Sequence, residues 1–202
     1  MLKRLYNWVL SWGGSPYAGS VLFFLAIAEA TFFPIPPDVL LIALAVGNQK
    51  KALQFAAICT IGSITGGFIG YCIGHYLWWN GNVFSEIAIF FFQQIPGFTE
   101  QIFLNIKNEY DLYGFAIIFT AGFTPIPYKV FTISAGAFSI SLPMFIGASF
   151  ISRAARFFIV AALIKKFGEK VKNIIDNYFN ILSIIFVILL FGSFYIITYY
   201  LK

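Results

Sequence analysis

Ala30-Thr31-Phe32-Phe33-Pro34-Ile35-Pro36-Pro37-Asp38 and Ala121-Gly122-Phe123-Thr124-Pro125-Ile126-Pro127-Tyr128-Lys129 align without a gap at an offset of 91 residues. The two stretches share Ala, Phe, Pro, Ile and Pro, and they end in charges of opposite sign. The chain therefore reads as an internal duplication. Proline inside a helix removes a backbone hydrogen bond and clashes with the preceding turn, so Pro34 and Pro36 in one copy and Pro125 and Pro127 in the other mark breaks. Breaks at matching points of two apolar repeats are the sequence pointer to a transporter binding site.

Around these breaks the composition selects the solvent. With 60% hydrophobic and only 10% charged residues, and a mean hydropathy of +0.85, the 202-residue chain has too little polar surface to cover a soluble globule. An integral membrane protein is expected. The net charge of +5 reads as membrane topology and contact with anionic lipid headgroups, and no basic run interleaves with polar residues as nucleic-acid binding would require. Cys59 and Cys72, as positions on one helix, would stand about 20 Å apart and cannot pair; they read as small buried apolar residues.

A span needs about 20 apolar residues. Residues 51–79, 142–164 and 179–201 meet that length, whereas the segments flanking the two breaks are only about half of it, with 38–48 ending at Lys50-Lys51 and 128–139 ending before Pro143. Two short limbs around a proline tip predict a re-entrant hairpin, which survives at membrane depth only when shielded by protein or lining a wet site. The alternative is that residues 130–152 form one ordinary helix with Pro143 as a mild kink. The expected organisation is an interfacial amphipathic helix over 1–14, repeat 1 over 15–80, an interfacial connector over 81–111, repeat 2 over 112–168 and a C-terminal transmembrane helix over 176–202. The fold class is thus an all-α integral membrane protein built as an inverted repeat, with two re-entrant helical hairpins, about three transmembrane helices and interfacial helices. Lys3 and Arg4 ahead of an apolar run mimic a signal peptide, but Asn7, Ser11 and Gly13-Gly14-Ser15-Pro16 interrupt it, and Leu5, Trp8, Val9 and Trp12 keep helical spacing.

If each hairpin returns to its own side and one helix crosses between them, the second hairpin enters from the opposite face. Lys3, Arg4, Lys50, Lys51, Lys165, Lys166, Lys170 and Lys172 then share one side, which the positive-inside rule makes cytoplasmic together with the N-terminus. A bacterial plasma membrane is the expected location.

Five ionisable side chains fall at predicted membrane depth: Glu29, Asp38, Lys129, Arg153 and Arg156. Each is expensive there, so together they predict a polar interior with mutual pairing. Three cations against two carboxylates leave one excess positive charge, suited to an anionic headgroup; the guanidinium fork matches phosphate geometry. Arg153, Arg156 and Lys129 are therefore the candidate substrate-binding residues. Burial favours the neutral form of a carboxyl group, which makes Glu29 and Asp38 candidates for proton coupling. A static set of ion pairs holding hairpin to helix is the competing reading. Asp38 and Lys129 occupy equivalent repeat positions and are candidates to pair across a pseudo-twofold axis. Gly62, Gly66, Gly70 and Gly74 make a bare stripe read as close helix packing, with an acyl-chain groove as the minority reading. His75 reads as a packed or interfacial histidine. No nucleophile elbow, Walker loop or metal-ligand cluster is present, so neither catalysis nor a cofactor is expected.

At the two Pro-Ile-Pro tips the chain resembles the DedA family, also called the VTT or SNARE-associated Golgi protein-like family. Phe123-Thr-Pro-Ile-Pro-Tyr-Lys-Val-Phe-Thr-Ile-Ser-Ala-Gly136, with Gly147 and Arg153-Ala-Ala-Arg156-Phe157-Phe158, looks like its YqaA-like branch. The resemblance implies paired inverted re-entrant hairpins and movement of phospholipid or polyprenyl phosphate between leaflets, as flippase or scramblase, linked in bacteria to proton motive force. By that resemblance Glu29 and Asp38 match the acidic positions around the first tip, and Arg153 and Arg156 the basic cluster after the second. At the second tip the better-known branch carries Arg-Phe-x-Pro-x-x-Arg, whereas here Gly122 precedes Phe123 and Lys129 lies four residues after Pro125. The expected function is a membrane lipid transporter whose partners are lipids with anionic phosphate headgroups, with homo-oligomerisation left open. The rivals are a proton-coupled small-ion transporter and a non-transporting membrane scaffold.

Overall fold

A computed structural model describes residues 17–32, 36–95, 98–124, 127–168 and 170. The expected N-terminal helix over 1–14, the C-terminal span over 176–202, and the tip residues Pro34 and Pro125 lie outside the described residues. The described chain is mainly helical: α1 (Ala18–Thr31), α2 (Pro37–Gly47), α3 (Ala52–Trp78), α4 (Glu86–Gln94), α5 (Glu100–Phe123), α6 (Tyr128–Ala137) and α7 (Leu142–Gly168).

The two halves of the described chain match in helix length. In repeat 1 an 11-residue limb, α2, precedes the 27-residue α3; in repeat 2 a 10-residue limb, α6, precedes the 27-residue α7. Pro36 and Pro127 stand immediately before α2 and α6, each with φ near −60° and extended ψ. Proline cannot donate to a preceding turn and its φ is already set for a helix start, so Pro36 and Pro127 launch the second limb of each pair. The break after Ala137 is equally definite. Phe138 and Ser139 donate back to the last turn, Ser139 takes φ 53, and α7 starts at Leu142. Residues 130–152 are therefore two helices, and the single-helix alternative is set aside.

α3 is the axis of the described structure, and its glycines set the approach distance of its neighbours. A Cβ added at Gly62 would meet the Phe23 carbonyl oxygen at 2.6 Å, and one at Gly66 would strike the Ile27 backbone. Farther along, one at Gly70 would strike the Thr132 hydroxyl and one at Gly74 the Ile133 carbonyl, while Gly136 on α6 returns the fit against the Tyr71 carbonyl. The glycine stripe is thus a packing surface, occupied by α1 over its first half and by α6 over its second. Both run in the same direction as α3, so the C-terminal end of α1 meets the N-terminal part of α6 halfway along it; the Thr132 hydroxyl donates to the Ala30 carbonyl across that junction at 3.2 Å.

α7 runs antiparallel to α3. Phe145 lies against Tyr71, the Arg153 side chain reaches Ser63, and Gly168 faces Gln49. One apolar core, formed by Leu22, Leu41, Leu44, Phe55, Cys59, Phe157 and Ile164 among others, joins α1, α2, α3 and α7. A second joins α5, α6 and the start of α7 through Phe103, Tyr110, Ile118, Phe138 and Phe145. Tyr110 lies buried at this seam, within hydrogen-bond reach of Ser134.

Two features depart from the sequence reading. α5 runs unbroken for 24 residues through position 112, where the connector was expected to give way to repeat 2. No proline or glycine pair interrupts it there, and Lys107 and Asp111 pair at 2.7 Å across one turn, which supports continuation. Trp79–Asn80 and Val83–Phe84 form a two-residue antiparallel ladder, closed by Gly81 at φ 65. Asn80-Gly81 between apolar residues is the composition that such a tight turn needs.

Candidate functional site

The site lies where the two breaks converge. α1 carries Glu29 in its last turn, and α2 carries Asp38 in its first turn. α7 presents Arg153 and Arg156, three residues apart and hence on one face. Arg153 donates through Nη2 to Glu29 Oε2 at 2.5 Å and through Nε to the Ser63 hydroxyl on α3 at 2.7 Å. Its guanidinium carbon sits 4.3 Å from the Tyr128 ring centre and 5.2 Å from that of Phe157. A cation over an aromatic face is stabilised by the ring quadrupole, more so when desolvated.

Arg156 makes the planar fork. Nε and Nη2 donate to the two carboxylate oxygens of Asp38 at 3.0 and 2.7 Å, and Nη1 donates to the Thr124 carbonyl at 2.7 Å. Asp38 sits where its charge suits the positive end of α2, while the Thr124 carbonyl belongs to the negative end of α5, where a cation is favoured. Lys129 does the equivalent at the other break: its ammonium reaches the Phe32 carbonyl, at the C-terminal end of α1, at 3.4 Å. Each broken helix end is thereby met by a cation, the Phe32 end by Lys129 from the opposite repeat and the Thr124 end by Arg156 from its own.

Four of the five expected ionisable residues, Glu29, Asp38, Arg153 and Arg156, are assembled into two salt bridges that cross between repeats. Asp38, the candidate partner of Lys129, meets Arg156 through a fork. That fork offers two parallel donors to the two carboxylate oxygens, which a single ammonium cannot match. Burial separates the two bridges. The Arg153 side chain is 2% exposed, against 14% for Arg156 and 15% for Asp38. His75 stacks beside Tyr71 and contacts the Ser139 hydroxyl, away from the charged cluster.

Several residues absent from the sequence expectation complete the site. Tyr128 lies buried under Arg153 and donates its hydroxyl to Ser149 on α7 at 2.5 Å. Ser63, Thr132 and Ser152 are likewise buried. Ser63 carried a signal: with Thr60 it forms a polar i, i+3 pair in the apolar middle of the helix. Nothing local in the sequence singles out Ser149. Among the described residues no cluster of His, Cys, Asp or Glu could hold a metal ion.

The chain is 37% identical over 167 residues to an uncharacterized protein of Haemophilus influenzae, covering 82% of each chain. It is 34% identical over 176 residues to the uncharacterized protein HI0703 homolog of Histophilus somni, covering 85% of this chain and 87% of that one. No family model and no solved structure matches. The chain belongs to the same family as these two bacterial proteins.

Proposed function

We propose that this family member is an integral protein of the bacterial plasma membrane that moves lipids with anionic phosphate headgroups between leaflets, as a DedA-type flippase or scramblase. The observation that carries the reading is the meeting of two interrupted helix pairs halfway along α3, at a cluster of two guanidiniums and two carboxylates drawn from opposite repeats. Open helix ends facing one another beside ionised side chains are the means by which transporters bind charged solutes at membrane depth. Two helices, Gln49–Trp78 and Leu142–Gly168, are long and apolar enough to cross a membrane. Large apolar side chains including Phe24, Phe32, Leu112, Tyr113, Phe150 and Ile159 are exposed, the surface expected of a protein solvated by lipid tails. In this reading α1–α2 and α5–α6 are the re-entrant hairpins of an inverted repeat, with the Lys50 and Lys165 side in the cytoplasm. Arg153, Arg156 and Lys129 supply the positive field for the headgroup, and Glu29 and Asp38 balance it or exchange protons.

The test is leaflet exchange of labelled phospholipid in proteoliposomes across imposed pH gradients, with anionic, zwitterionic and polyprenyl phosphate lipids. Arg156→Lys keeps the charge but loses the fork, and is expected to slow exchange at least about tenfold. Exchange by the wild-type protein no faster than in protein-free vesicles for all three lipid classes would overturn the reading. The occupation of both guanidiniums by carboxylates favours a second reading, a non-transporting scaffold held by static ion pairs, and that null result is what it anticipates. A proton-coupled small-ion transporter would instead dissipate an ion gradient without lipid exchange.

A further inference from the structure

We infer that the two ion pairs have different roles: Asp38 is an internal substitute for the substrate anion, displaced from Arg156 when a phosphodiester binds, whereas Glu29–Arg153 is a fixed anchor that stays closed. The inference rests on the lipid-transport reading and assigns the regulation of its site.

All three nitrogens of Arg156 are engaged, two by Asp38 and one by the Thr124 carbonyl. Three of its five N–H donors are in use, and the Nε–Nη2 edge can meet a headgroup only when Asp38 leaves it. A carboxylate and a phosphate diester present the same feature to a guanidinium, two oxygens sharing one negative charge, and both accept the bidentate pair. Binding at Arg156 is therefore an exchange of one monoanion for another. The Thr124 bond lies on the third nitrogen and keeps the guanidinium aimed while the exchange takes place.

The displaced carboxylate has somewhere to go. Asp38 is in the first turn of an 11-residue helix, where unpaired backbone N–H groups and the helix dipole support a negative charge without Arg156.

The other pair lacks these properties. Arg153 is held by Glu29 and Ser63 and enclosed by the Tyr128 and Phe157 rings, and its side chain is 2% exposed. Glu29 sits near the C-terminal end of α1, the end that disfavours a carboxylate left on its own. Opening this pair would strand charges on both sides, so it holds repeat 1 to α7 while Asp38 and Arg156 exchange.

The experiment compares binding of dihexanoyl phosphatidylglycerol and of dimethyl phosphate to purified full-length protein in detergent, by calorimetry at fixed pH and salt. Asp38→Asn keeps the shape of the side chain but surrenders the charge. It is expected to bind the short-chain lipid at least about tenfold more tightly than wild type, the gain from freeing a site otherwise open about a tenth of the time. Asp38→Glu, which retains the competitor, should bind no more tightly than wild type, and Glu29→Gln should show no gain. Adding Arg156→Lys to Asp38→Asn should erase the gain. If Asp38→Asn does not fold, Asp38→Ser carries the same comparison with Asp38→Glu. Equal affinity of wild type and the neutral variants, or a gain at Glu29→Gln as large as at position 38, overturns the assignment while leaving lipid exchange to be judged by flux. A gain equal for dimethyl phosphate and for the lipid upholds the displacement and transfers the site to a soluble phosphodiester.

Discussion

Removing one member of the Glu29–Arg153 pair leaves the other buried without compensation, and the size of that penalty follows from the surroundings. Arg153 is 2% exposed and Glu29 12%, so neither can be rehydrated without moving helices. Arg153→Met fills the space between the Tyr128 and Phe157 rings with an apolar chain but isolates the carboxylate. Glu29→Gln keeps one oxygen acceptor for the guanidinium and removes only the charge. Breaking a buried pair from one side costs about 3 to 5 kcal/mol, and Arg153→Met is expected within that range. Glu29→Gln should fall toward its lower end, because the retained amide still accepts a hydrogen bond. The double variant strands no charge; it loses the Nε–Ser63 hydrogen bond, about 0.5 to 1.5 kcal/mol, and the cation–ring contacts, about 1 to 2 kcal/mol. It should therefore be more stable than either single, with a coupling energy of about 2 kcal/mol or more. The assay is reversible unfolding of full-length protein in mixed micelles, read by tryptophan fluorescence, for the four members of the cycle. A double variant destabilised by the sum of the singles, within about 0.5 kcal/mol, would refute the claim that these two residues act as one buried unit.

Other expectations rest on independent features. Gly74→Ala and Gly136→Ala drive a methyl into facing backbone and should each destabilise by about 1 to 3 kcal/mol, whereas Gly147→Ala meets nothing within 4 Å and should be neutral or gain up to about 1 kcal/mol from helix propensity; thermal midpoints separate them. Tyr128→Phe keeps the ring beneath Arg153 but unpairs Ser149, and should lose about 1 kcal/mol, while Tyr128→Leu should lose more because it also removes the cation–ring contact. Single cysteines at Ile95 and Lys166, both exposed, in a background with Cys59 and Cys72 replaced by serine, should be labelled by impermeant maleimide from opposite sides of the membrane; labelling from one side would sink the proposed topology.

The sequence was most legible where a residue's effect is local. Proline acts on its own backbone, so Pro36 and Pro127 located the starts of α2 and α6 directly. The glycine stripe was legible for a similar reason, since a missing Cβ every fourth residue has one common use on an apolar helix. The partners of the charges were not. Glu29 and Asp38 lie nine residues apart across a break, and which meets Arg153 depends on how α1, α2 and α7 cross, a property of packing that no local pattern encodes. The continuation of α5 was missed because a change from mixed to apolar composition near Leu112 resembles a boundary, although the backbone registers only breakers and caps. Asn80-Gly81 did carry a turn signal, but the ladder that it closes is only two residues long.

The two repeats kept the same backbone plan and divided the charges between them. The position equivalent to Glu29 in repeat 2 is Thr120, and those equivalent to Arg153 and Arg156 in repeat 1 are Gly62 and Thr65. With acid and base on the same repeat, each repeat could satisfy them internally and the halves would be coupled by apolar contacts alone. Division of the charges makes each half electrostatically incomplete. Among the described residues Glu29 and Asp38 pair with guanidiniums on α7, and the Phe32 carbonyl is met by Lys129 from α6. On the proposed function the same division leaves the halves inequivalent: an exact inverted repeat would offer two identical anion sites facing opposite ways, whereas here both guanidiniums lie on one repeat and the carboxylates that meet them on the other.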